Sequence, residues 1–191
     1  MCGLAGFFSS ESFNFDPHDT LLKMGNALEH RGPDDSGIWF DSENGIGLAH
    51  QRLSIIDLSK EGHQPMSSAN GRFVLSYNGE IYNFPEIKTE LLKLGFNSWR
   101  GRSDTEIILA AIEHWGLRDA LTRFRGMFAF ALWDKQEKPL HLVRDRMGIK
   151  PLYYGWAGST LIFGSELKAF KAHPKFNREI DREAVALLLR F

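Results

Sequence analysis

The chain reads as an α+β sandwich built in layers, and three patterns in its residues lead there. Short apolar strands crowd the second half, where "MFAFALWD" (127–134), "LHLVRD" (140–145), "LYYG" (152–155) and "TLIFG" (160–164) follow one another closely. The first of these is apolar on both faces. Phe128, Phe130 and Leu132 alternate with Met127, Ala129, Ala131 and Trp133, so the strand must be covered twice, by a second sheet or by helices. Segments of helical spacing stand early in the chain and between the strands, which gives layers of both kinds.

In chain order, "MCGLAGFF" (1–8) reads as a first strand anchored by Leu4, Phe7 and Phe8. Asp16-Pro17-His18-Asp19 is a helix start, with Asp16 as cap and Pro17 just inside, and Leu21, Met24 and Leu28 follow on one face. "RGPDDSG" (31–37) reads as a Gly/Pro-rich loop, with Arg31 and Asp34 as scaffold. "IGLAH" (46–50), after a turn at Asn44-Gly45, and "RFVLSYN" (72–78) are strands. Asn78-Gly79, at the head of "NGEIYN", is by local preference a turn. A second helix runs from about Pro85 to Leu94, with Ile87, Leu91 and Leu94 on one face and Gly95 ending it. "SDTE" (103–106) fits a capping box that opens a third helix, closed at Trp115-Gly116. Asp181 caps a last helix carrying Ala184, Leu187 and Leu188. Its apolar face is still being built at "LLLRF", so more protein is expected downstream.

Composition narrows the function classes. A length of 191 residues suits one well-buried domain, and no repeat, linker or low-complexity tract divides it. The formal net charge of −1 gives no electrostatic case for nucleic acid or an anionic membrane surface. A single cysteine excludes an internal disulfide, and no stretch approaches a membrane span or a signal sequence, so cytoplasm is the expected location. The seven histidines are scattered without zinc-ligand pairing, so no metal site is expected. Neither a Walker loop nor GxGxxG is present, so no nucleotide cradle is visible.

Taken singly, the polar candidates have ordinary structural explanations. Cys2 could be a small buried hydrophobe, Arg52 a rim ion-pair residue, and "RDRMGIKPLYYG" (144–155) a strand edge and turn. Taken together they do not. "MCGLAGFF", "LEHRGPDDSG" (28–37), "LAHQRLSIIDLS" (48–59), "GHQPM" (62–66), "YNGEIYN" (77–83), "SDTEIIL" (103–109), "GMFAFALWD" (126–134), "RDRMGIKPLYYG" and "FGSELKAF" (163–170) occur in order over almost the whole chain. This series resembles the class II, N-terminal-nucleophile glutamine amidotransferase domain of glutamine-dependent asparagine synthetases.

The resemblance implies a four-layer αββα fold, with two antiparallel sheets face to face between helices. It implies a glutaminase domain over residues 1–191 and an ATP- and magnesium-using synthetase domain beyond them, with no cofactor in the first domain. The expected reaction is hydrolysis of the glutamine side-chain amide through a Cys2 thioester. Cys2 supplies the nucleophile and, once Met1 is removed, an α-amino base of reference pKa about 7.7–8.0. By the same match, Asn78 and Gly79 form the oxyanion hole, with Gly79 permitting close approach and φ > 0. Arg52 takes the substrate α-carboxylate. Asp104 with Glu80 takes the α-ammonium, and Leu53 and Ile55 contribute backbone contacts. Gly126 and Phe128 are expected to serve packing, and Trp133, Tyr153 and Tyr154 the core or a domain interface. The expected partners are L-glutamine and the synthetase domain of the same chain, with a homodimer as an assembly the sequence admits. Two alternatives stay open: an amidotransferase of the same family with another acceptor, and a non-catalytic glutamine-binding module if Met1 is retained.

Overall fold

The computed structural model describes residues 1–190; Phe191, the end of the C-terminal apolar run, lies outside the described residues. The first half of the chain holds β1 (Gly3–Phe8), α1 (Pro17–Asn26), β2 (Asp35–Asp41), β3 (Ile46–Arg52), β4 (Met66–Ser67), β5 (Phe73–Ile81) and α2 (Phe84–Lys93). The second half holds α3 (Asp104–Trp115), α4 (Leu117–Arg123), β6 (Gly126–Asp134), β7 (Leu140–Arg144), β8 (Tyr153–Ala157), β9 (Thr160–Gly164), α5 (Leu167–Phe170) and α6 (Arg182–Leu188).

The strands form two sheets, ordered β2-β3-β1-β9-β8 and β4-β5-β6-β7, with every pairing antiparallel. Side-chain alternation then sorts the core into three apolar layers. Leu4, Ile46, Leu48 and Phe163 from the first sheet meet Val74, Ala131 and Trp133 from the second. Ala5 and Phe7, on the opposite face of β1, pack with Leu21, Met24 and Leu28 and with Ala169 and Phe170 of α5. Phe128, Phe130 and Leu132, on the other face of β6, pack with Ile87 and Leu91 of α2 and with the apolar residues of α3. The layers are therefore helix, sheet, sheet, helix, as the doubly apolar β6 requires.

Local chemistry sets the helix ends. The Asp16 carboxylate accepts from the backbone N–H of His18 and Asp19 at 2.9 and 3.2 Å, and Asp181 caps α6 in the same way through Glu183 and Ala184. Gly95 and Gly116 follow α2 and α3 at φ +90 and +79, the left-handed conformation that lets a helix stop. Ser103 Oγ accepts from the Glu106 N–H as a capping box requires. Glu106 departs from the box: it reaches back to the N–H groups of Arg100 and Gly101, at 2.7 and 3.0 Å, and ties down the chain before the helix.

Several expectations are corrected. Asn78-Gly79 is no turn; it lies inside β5, opposite Ala129 and Phe128, because pairing with β6 overrides the local preference. Gly79 has no positive φ. Its need is space, since a Cβ there would stand 2.7 Å from the Phe128 Cα. Asp35–Gly37, expected as loop, begins β2, whose residues are half-exposed and give little apolar alternation. α1 ends at Asn26, yet Leu28 remains fully buried through the 3₁₀ turn Glu29–Arg31. Trp133 is core, whereas Tyr153 and Tyr154 are exposed and serve no core within this chain.

Two polar bonds cross between the sheets. Ser76 Oγ donates to the Ala49 carbonyl, and His50 Nε2 bonds the Tyr77 carbonyl at 2.9 Å. Burial pulls His50 down to about 4, so its ring is neutral and Nε2 is the donor. Burial likewise pulls His173 to about 4, where it packs against Phe7 and Phe15. Both groups protonate in the unfolded chain at their ordinary value of 6.5 but resist it when folded. Their contribution is therefore complete above pH 6.5 and is lost as pH falls toward 4. Thermal unfolding should show a Tm that falls across this window, and His50→Gln should flatten the fall; a slope unchanged in the variant would remove His50 as its source.

Candidate active site

One cavity of about 650 Å³, counting its open mouth, gathers all eight residues singled out from the sequence. They come from five places. Cys2 precedes β1; Arg52 ends β3, with Leu53 and Ile55 in the loop beyond; Asn78, Gly79 and Glu80 lie on β5; Asp104 is the first residue of α3. The two sheets and α3 thus each present one end to the same opening. Tyr77 and Lys150, for which no role was read from the sequence, also line it, as does the helix cap Ser103.

Cys2 is gripped on both sides although it lies outside the β ladder. The Leu53 N–H donates to Sγ at 3.4 Å, and the thiol donates to the Leu53 carbonyl at 3.6 Å. Its own carbonyl accepts from Arg31 Nε at 2.9 Å. Arg31 Nη1 in turn donates to Glu166 at 2.7 Å, and Glu166 also meets His30 and Lys168. Burial works against the Glu166 charge, but the Arg31, Lys168 and His30 bonds outweigh it and hold this carboxyl at about 2. Two residues beyond Cys2, Leu4 donates to Ser165 Oγ at 3.0 Å and accepts from the Ser165 N–H at 2.8 Å. Burial raises the Cys2 thiol above its ordinary value, against weaker lowering by Leu53 and nearby positive charge. The thiol is therefore neutral near pH 7 and needs a base to become a nucleophile.

Arg52 is buried, and its guanidinium is aimed by backbone carbonyls: Nη1 donates to Ser59 at 2.8 Å and Nη2 to Asp57. A guanidinium carries five N–H donors, so others remain for a ligand. Gly62 packs so closely over it that a Cβ would collide with the guanidinium carbon at 2.6 Å. The loop supplying those carbonyls is fastened through Asp57, which accepts from the Ser59 and Arg102 N–H groups at 2.8 and 2.7 Å.

Asn78 is 1% exposed, and its Nδ2 has no hydrogen-bond partner. A buried amide donor left unpaired costs roughly 1–3 kcal/mol, so its presence in a cavity wall signals a ligand acceptor. Asp104 is 5% exposed, with Oδ2 accepting from Tyr77 Oη at 2.7 Å and from the Ile81 N–H at 3.0 Å. Burial raises its pKa in spite of these donors, with the Glu80 charge adding to the rise. Both bonds fall on one oxygen, Oδ2. Among the described residues, no group of three His, Cys, Asp or Glu is arranged to hold a metal ion.

Comparison with known proteins decides the family. Residues 1–191 match the family described as "Glutamine amidotransferase domain". The chain belongs to it. The domain is 36% identical over 188 residues to asparagine synthetase [glutamine-hydrolyzing] 3 of Bacillus subtilis, covering 97% of this chain and 30% of that protein. It is 39% identical over 207 residues to a putative asparagine synthetase [glutamine-hydrolyzing] 2 of Methanocaldococcus jannaschii, covering 98% of this chain and 38% of that one. The chain thus spans about a third of the length of these relatives. Among solved structures, a glutamine phosphoribosylpyrophosphate amidotransferase from B. subtilis superposes with TM-score 0.72 at 22% identity. That alignment covers 90% of this chain and 43% of the other, and it supports the layered αββα fold described above. Among the described residues, no helix is long and apolar enough to cross a membrane.

The Tyr77–Asp104 bond gives a stability test. Tyr77→Phe removes the hydroxyl donor from a buried carboxylate and should cost about 1–3 kcal/mol in urea unfolding. Tyr82→Phe, at an exposed tyrosine, should change nothing. Equal stability of the two variants would show that the Asp104 charge is satisfied without Tyr77.

Proposed function

We propose that this domain is the glutaminase half of a glutamine-hydrolysing asparagine synthetase. The observation that carries the reading is the buried, partnerless amide of Asn78 in the wall of the cavity that holds Cys2, the residue next to the chain start. An acceptor that exists only once a carbonyl oxygen becomes an oxyanion explains why such a donor is left unpaired.

Removal of Met1 frees the Cys2 α-amine, which takes the thiol proton as Sγ attacks the side-chain carbonyl carbon of glutamine. Asn78 Nδ2 and the Gly79 N–H stabilise the tetrahedral oxyanion. The protonated amine returns its proton to the departing nitrogen, releasing ammonia and leaving a Cys2 thioester. The same amine then takes a proton from water, whose oxygen attacks the thioester carbon; glutamate leaves and the thiol reforms. No separate histidine is needed, because acid, base and nucleophile share one Cα. The remaining Arg52 donors bind the substrate α-carboxylate as a fork, and Asp104 with Glu80 receives the α-ammonium. Leu53 and Ile55 frame the chain of the substrate through their backbone. Clamping both charged ends places the amide carbon against Sγ and selects an α-amino acid.

The lengths of the relatives support a further domain beyond residue 191, in which ATP and magnesium activate aspartate to receive the ammonia. Such an enzyme works in the cytoplasm, and a homodimer is compatible with the exposed apolar residues of the chain. A second reading follows from Met1 itself: while it stays attached, the α-amine is an amide, the base is lost, and the domain binds glutamine without hydrolysing it.

Protein shown by intact mass to lack Met1 should release glutamate from glutamine, and Cys2→Ala should abolish this. Asn78→Ala should lower kcat by about 10²–10³ with little change in KM, as expected for a donor used only in the transition state. Arg52→Ala should act mainly on KM. In the full-length protein, Cys2→Ala should still form asparagine from aspartate, ATP and added ammonia. Absence of glutaminase activity after verified Met1 removal would overturn the reading. Ammonia transfer to an acceptor other than aspartate would overturn only the synthetase assignment.

A further inference from the structure

Lys150 is the one buried lysine among the described residues, 6% exposed, and it lines the cavity that holds Cys2. Its Nζ has a single partner, the Met1 sulfur at 3.4 Å, and no carboxylate within salt-bridge distance. A thioether is a poor acceptor for an ammonium, so burial leaves this charge largely uncompensated. The backbone holds it there. The Lys150 N–H donates to Asp145 at 3.0 Å, and its carbonyl accepts from Arg144 Nε at 2.7 Å. Asp145 also gathers the N–H groups of Phe128, Met147 and Ile149, which makes the whole 145–150 turn rigid.

The charges around the Cys2 nitrogen leave Lys150 without a counterpart. Arg31, beneath the Cys2 carbonyl, is neutralised by Glu166. Arg52 from β3 matches the substrate carboxylate, and Asp104 from α3 with Glu80 from β5 matches its ammonium. Tyr77 is pushed well above its ordinary value, chiefly by burial, and stays neutral. Lys150 forms an ion pair with none of these groups, and it contacts the residue whose removal creates the α-amine. Five bonds separate the Met1 sulfur from the Cys2 nitrogen, so Nζ lies within about 10 Å of that nitrogen, a distance over which a poorly screened charge still acts.

Resting on the glutaminase reading, we propose that the Lys150 ammonium acts through space on the freed Cys2 α-amine, holding it in the neutral, proton-accepting form near neutral pH. A like charge disfavours the protonated amine, so more of the enzyme carries a competent base at a given acidic pH. Lys150 touches neither substrate nor thiol in this role; it acts through the amine.

The test is the pH profile of kcat/KM for glutamine, measured on the full-length protein with Met1 removed. Lys150→Met keeps the stem and deletes the charge. It should move the acid limb upward by about half to one pH unit, making the enzyme about three- to tenfold slower on that limb and within about twofold at alkaline pH. Lys150→Arg should leave the limb in place. Superimposable profiles for native and Lys150→Met enzymes overturn the inference, as does a loss uniform across pH or a rise in KM alone. A native enzyme that hydrolyses no glutamine overturns the glutaminase reading itself, so the two failures are told apart.

Discussion

At residues 2–4 the chain is held by hydrogen bonds from three directions, and the cavity exists as a site only because of them. Leu53 grips the thiol of Cys2, Arg31 its carbonyl, and Ser165 both backbone groups of Leu4. A chain terminus ordinarily frays, because nothing precedes it to hold its dihedrals. Here β1 lies in the middle of a five-stranded sheet, flanked by β3 and β9, so the terminus emerges from the most constrained part of the fold. Glu166 extends this restraint by one layer. It orients Arg31, which orients the carbonyl, and in this way a charge pair beside α5 fixes an atom at the other end of the sequence.

The opposite wall relies on rigidity of another kind. Asn78 and Gly79 lie within a nine-residue strand paired along its whole length with β6. Donors carried on such a strand keep their direction without waiting for a ligand to order them. The buried Asn78 amide has no partner and the buried Lys150 ammonium only a thioether, both exceptions to the rule that buried polar groups find good acceptors or donors. Both residues line one cavity.

How much of this could be read from residues alone differs by element. The alternation in β6 gave its two buried faces directly, and Asp16, Ser103 and Asp181 announced the helices they cap. β2 escaped because its residues are half-exposed and follow a Gly/Pro-rich loop. Asn78-Gly79 misled locally, since a turn preference of a few tenths of a kcal/mol cannot compete with nine ladder pairs. The eight cavity residues came from a resemblance in motif order; no periodicity brings Cys2, Arg52, Asn78 and Asp104 together. Lys150 sat in "RDRMGIKPLYYG", which reads locally as a strand edge and turn. Its meaning comes from the Asp145 turn that points it inward, which only three-dimensional structure reveals.

The central position of β1 has a practical corollary. Met1 leaves the sheet through the cavity and stands at its mouth, half-exposed, against Lys150. Anything joined ahead of Cys2 would have to take the same route, threading the cavity that Cys2 lines. An affinity tag or fusion partner at the amino end would therefore plug the cavity as well as block the amine, so for this protein only handles attached elsewhere leave the site open.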